Sequence, residues 1–85
     1  MATAITNRLS TIAAEIGQLK TEIEERHRAL NLFLRNVRAI NRAEAEERID
    51  AARNNIRERQ RRLQVLQQRQ QTLIVWAITL GDRED

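Results

Sequence analysis

Apolar residues recur along this chain at alternating steps of four and three. From Ile5 the series runs through Leu9, Ile12, Ile16, Leu19, Ile23, Arg26, Leu30, Phe33, Val37 and Ile40, and ten of its eleven members are apolar. A second series runs through Ala45, Ile49, Ala52, Ile56, Arg59, Leu63, Leu66, Gln70, Leu73, Ala77 and Leu80, with nine of eleven apolar. A 3.5-residue period marks helices that share one apolar seam, as in coiled coils. Continued, the first series would next reach residue 44, whereas the second begins at 45, so the phase slips by one residue near Asn41.

That slip predicts a turn. Asn41 followed by Glu44 reads as a helix-capping box with Asn in place of Ser or Thr, and Asn also tolerates the left-handed conformation that ends helices. Gly81 is the expected stop for the second helix. The predicted fold is all-α: a long antiparallel coiled-coil hairpin with helices over about 4–40 and 42–80, roughly 55–60 Å long at 1.5 Å per residue. Residues 1–85 form one domain, of which 81–85 is an acidic tail.

Folded at residues 42–43, the seams pair Ile5 with Leu80, Ile12 with Leu73, Leu19 with Leu66 and Phe33 with Ala52. Glu15 then lies near Arg69, Glu22 near Arg62, and Arg8 near Trp76 as a cation–π pair. A register shifted by half a heptad relaxes the turn but loses those pairs, so the first register is preferred. "NRAEAEE" is itself good helix, and an unbroken helix of roughly 110 Å pairing with a second chain is the competing architecture.

Composition agrees with helices. There is no proline, and the only glycines are Gly17 and Gly81. Strong helix formers dominate. Cysteine is absent, which removes disulfides and thiolate chemistry and fits a reducing compartment. The N-terminal stretch has no basic segment followed by an apolar run, so no signal peptide is expected. "LIVWAITL", residues 73–80, falls far short of the ~20 residues that span a bilayer. A cytoplasmic or intracellular location without a membrane span is therefore expected.

Charge opens a second line. The net charge is +3, and residues 26–69 carry twelve arginines against five acids. Arg53, Arg57 and Arg61 step by four along one helix face, and guanidinium forks suit phosphate. A basic helix pair of this kind permits nucleic-acid binding, but with few aromatics to stack bases it should be weak. The expected architecture is similar to that of the plasmid RNA-binding helical hairpins that dimerise into bundles, although no local motif carries the likeness. Catalysis has little footing. His27 and Ser10 are the only residues of their kinds, and on one helix they would lie about 25 Å apart. The cluster Glu44, Glu46, Glu47 and Asp50 reads as a solvated helix start favoured by the helix dipole. No cofactor and no metal site are expected.

Two helices bury one stripe each, and thin cores usually need a staple or a partner. Apolar residues also lie off the seam. Ala13, Leu34 and Ile74 widen it, and Ile74, Val75 and Ile78 point away from the partner helix. Thr6, Ser10, Ala13, Ala14 and Gly17 form a small-residue patch at the same end. The expected protein interface is Ala13, Gly17, Leu34, Ile74, Val75, Trp76 and Ile78, serving a homo-oligomer (dimer favoured, as a four-helix bundle) or a different protein. An interfacial membrane contact through Trp76 is disfavoured by the acidic tail. Arg26, Arg59 and Gln70 interrupt the seams as a polar layer, the two arginines either reaching outward or fixing register. The expected function is thus a non-enzymatic structural or adaptor protein acting through helix–helix contacts, with arginine-dependent RNA or DNA binding as the alternative.

Overall fold

The computed structural model describes residues 2–39 and 41–83. Helix α1 spans Ala2–Arg35, a single 3-10 turn covers Val37–Ala39, and helix α2 spans Arg42–Arg83. The two helices lie against each other as an antiparallel hairpin measuring 67 × 15 × 14 Å. The chain therefore doubles back rather than continuing as one rod.

The heptad pattern decides which side chains meet. Every described member of the two seams is buried or half-buried except Leu80; Ile40 lies outside the described residues. Ile16, Ala45, Ile56 and Leu66 form the buried core, with Leu66 only 2% exposed. The core is one side chain thick, as a single stripe on each helix dictates.

The helix ends depart from the sequence expectation. Helix α1 stops at Arg35, five residues early. The Asn36 side-chain amide donates to the Leu32 carbonyl (2.9 Å), and its backbone N–H donates to the Phe33 carbonyl (3.1 Å). These bonds satisfy carbonyls that a helix end leaves open. Asn41 caps α2 as expected: its Oδ1 accepts the Glu44 N–H at 2.8 Å and its carbonyl accepts the Ala45 N–H at 3.0 Å. The Glu44 carboxylate accepts from Arg48 at 3.0 Å, so the expected box is realised in its Asn half. No described residue has positive φ, so Asn41 works as an acceptor and not as a left-handed stop. Helix α2 runs through Gly81 to Arg83. Glycine permits a left-handed stop but does not impose one, and the longer α2 accounts for the extra length of the hairpin.

The register also differs. Arg59 Nε donates to Glu22 (3.2 Å), Arg26 Nε donates to Asn55 Oδ1 (2.8 Å), Arg62 meets Glu15 (3.6 Å), and Arg48 lies over the Phe33 ring (6.0 Å). Each is about half a heptad or more from the pairs expected for a fold at residues 42–43, and Ile16 comes level with Leu66. The reason is geometric and electrostatic. Six residues from Asn36 to Asn41 make the turn, which moves its apex back toward residue 41. The shift also staggers Arg26 and Arg59, which the other register would stack in one layer as adjacent, repelling cations. The Arg8–Trp76 pair is replaced by a looser arrangement in which both line one groove.

Candidate docking surface

The hairpin has two unlike flanks. One carries the cross-helix polar contacts. Asn55 Oδ1 accepts from both Arg26 and Arg59, while Arg59 also reaches Glu22. Arg59 and Glu22 are each about two-thirds buried or more, at 26% and 31% side-chain exposure. The two seam arginines are thus tied together by a neutral amide and one carboxylate. Gln70, the third polar seam residue, is half-buried beside Gln64, Gln67, Gln68 and Gln71.

Further along the same flank an open groove of about 780 Å³ is floored by Ile12, Val65, Leu73 and Trp76 and edged by Arg8 and Arg69. Trp76 is therefore not beside Ile74, Val75 and Ile78, as its place in the same apolar run suggested. It stands at the position flanking the seam on the opposite side. Val65, at 40% exposure, belongs to this groove and was missed by sequence reasoning, because a lone apolar residue among glutamines breaks no period. Leu32, also exposed, was missed because it stands off the seam beside the apolar Phe33 and Leu34.

The other flank is a second stripe with its own 3.5-residue spacing. On α2 it passes through Arg53, Arg57, Gln60, Gln64, Gln67, Gln71, Ile74 and Ile78, all exposed. Its character changes from cationic near the turn, through amide, to apolar at the open end. On α1 the matching stripe passes through Thr6, Ser10, Ala13, Gly17, Lys20, Glu24, His27, Asn31 and Leu34, all exposed. The small residues sit at the open end and Leu34 at the turn end. Exposure reaches 40% for Leu34 and Ile74, 56% for Val75 and 62% for Ile78. A side chain at Gly17 would meet nothing within 4 Å, so packing inside the hairpin does not require glycine there. The structure thus brings Ala13, Gly17, Leu34, Ile74 and Ile78 to one flank, leaves Val75 exposed on the back of α2 next to them, and leaves Trp76 on the other flank.

The remaining sequence candidates are placed as follows. Arg53, Arg57 and Arg61 are exposed and unpaired, whereas Arg28, Arg42 and Arg48 hold Glu24, Glu46 and Glu44 one turn away. Those pairs occupy two carboxylates of the acidic cluster at the start of α2. Among the described residues no group of three or more His, Cys, Asp or Glu could hold a metal ion, and no helix is long and apolar enough to cross a membrane. His27 and Ser10 are exposed on one face of α1. The acidic tail lies outside the described residues at 84 and 85. No protein-family model, curated protein or solved structure matches the chain.

Proposed function

We propose that this chain is a non-enzymatic structural or adaptor protein, a coiled-coil hairpin that works by packing its outer stripe against further helices in a bundle. The observation that carries the reading is the exposed set Ile74, Val75 and Ile78, which lies outside a seam already filled by Leu73 and Ala77. Clustered apolar groups in water mark contact surfaces, and burying each such side chain contributes roughly 1.5–3 kcal/mol. The one-residue-thick core supports the same conclusion, since a two-helix hairpin gains much from a partner. Changing Ile74→Glu and Ile78→Glu together should abolish self-association or partner capture in sedimentation while the helical circular-dichroism signal persists. If that double variant keeps the mass and every partner of the wild type, the reading fails. A control with Leu73→Glu and Leu80→Glu should instead loosen the open end of the hairpin itself.

A second reading keeps nucleic acid as the partner. The observation favouring it is that Arg53, Arg57 and Arg61 have no carboxylate partner within the hairpin. Binding through them should be sequence-indifferent and should fall steeply with salt, as counterion release requires, whereas apolar docking is nearly salt-independent. Titration of labelled RNA and DNA separates the two. Affinity tighter than about 10⁻⁷ M at physiological salt exceeds the usual non-specific range and would rank this reading first.

A further inference from the structure

We infer that the occupant of the outer stripe is a second copy of this chain, laid side by side and antiparallel, so that Ile74 and Ile78 of each copy cover Leu34 of the other. This rests on the self-association proposed above and specifies its geometry.

Phe33 contacts Arg48 and Arg26 contacts Asn55, so Leu34 lies level with Glu47 and Arg48 of α2. The stripe therefore has apolar residues at two heights, near residue 48 and over 74–78, with Arg53, Arg57, Lys20, Glu24, His27, glutamines and small side chains between. The midpoint of those heights is residues 61–63, and the midpoint of α2, which spans Arg42–Arg83, is 62–63. A two-fold axis lying in the interface, level with the middle of α2, thus brings each apolar site to the height of the other, and a modest crossing angle lets Leu34 of α1 meet Ile74 and Ile78 of the partner's α2. Isologous interfaces require this self-complementarity.

Area and charge favour the same arrangement. One long side of a 67 × 15 Å body presents about 1,000 Å², enough for the ~800 Å² per partner of a standard interface. Overlap of the open ends alone would bury a fraction of that. An antiparallel alignment keeps Arg35, Arg38 and Arg42 of the two turns at opposite ends of the pair. A parallel alignment would set turn against turn and stack those arginines.

The chain has no cysteine, so disulfide trapping reads the geometry directly. Within one hairpin, residues 34 and 74 are separated by 26 residues of helical rise, about 39 Å, far beyond the ~7 Å Cα limit of a disulfide. An equimolar mixture of Leu34→Cys and Ile74→Cys chains should oxidise to the mixed dimer several-fold faster than either variant alone. A mixture of Leu34→Cys with Ile78→Cys covers a one-turn error in height. If Ile74→Cys alone cross-links as fast as the mixture, the copies are parallel or overlap at their tips and the inference is wrong. If neither mixture cross-links although the wild type sediments as a dimer, the copies use another face and the inference is again wrong. A wild type that stays monomeric at every concentration overturns the self-association beneath it as well, and leaves a different protein as the occupant.

Discussion

The two flanks of the hairpin share the same two helices and the same seam, yet they are built for different ends. On one flank Arg59 holds Asn55 within α2, while Arg26–Asn55, Arg59–Glu22 and Arg62–Glu15 cross between the helices. Such contacts contribute little net energy when exposed, but a slip of one helix past the other breaks all of them together. On the other flank a graded stripe runs from arginine through glutamine to isoleucine and faces water. Apolar burial is strong but non-directional. The seam alone would accept either register. The comparison teaches that the bonded flank fixes how the chain folds on itself, which leaves the outer stripe free to meet something else.

The largest effect should come from the element both flanks depend on. Leu66→Ala removes the most buried side chain and should cost about 2–5 kcal/mol, enough to unfold so thin a core, as urea denaturation would read. An Ile78→Ala change should cost far less at low protein concentration, and equal losses would show that no distinction exists between seam and stripe. Next, replacing Arg26→Leu and Arg59→Leu together should stabilise the fold by about 1 kcal/mol, read as a higher thermal midpoint, since half-buried charge is often less favourable than apolar packing. Losing both donors to Asn55 should also free the seam to slip, read as a changed distance between labels at residues 5 and 77, and an unchanged distance would show that the bonded flank does not fix the register. A smaller effect, of order 1 kcal/mol or below, is expected for Glu22→Gln on the bonded flank. It should fade in high salt without altering the sedimentation mass, whereas the Ile74 and Ile78 changes should alter the mass and spare the monomer. Smallest is Gly17→Ala on the outer stripe. With open space around it, it should stabilise the dilute chain by about 0.5–1 kcal/mol, and a loss in thermal unfolding would mean that another helix already approaches there.

Much of this was legible in the residues. The periodicity named the seam nearly position by position, because one face of each helix must be apolar over its whole length to be buried. The cap at Asn41 was also legible, since an Asx side chain before a helix start has few other uses. The register was not. Sliding a heptad seam by half a repeat still sets apolar against apolar, so the pattern is degenerate, and the tie is broken by Asn55, which looks like an ordinary surface residue. The early end of α1 was hidden because "NVRAI" is compatible with helix, and what stops it is one side-chain bond from Asn36 to Leu32. Trp76 was grouped with its sequence neighbours although a helix turns successive residues about 100° apart. The outer stripe was visible only as scattered apolar residues until the fold showed which of them share a flank.

The short connection from Asn36 to Asn41 also sets the order of events when the chain folds. Contacts beside it close loops of a few residues, whereas those joining Ile5 to the far end of α2 close loops of more than seventy. Loop closure grows costlier with length, and local contacts form first in rapidly folding chains. The hairpin should therefore zip from the turn outward, and fray in the reverse direction. Amide hydrogens beyond Ile12 and Leu73 should exchange fastest in dilute solution and slow when the open end is covered. The surface proposed for docking is thus expected to be the last part of the chain to become structured, so that the association proposed here would complete the folding that the turn begins.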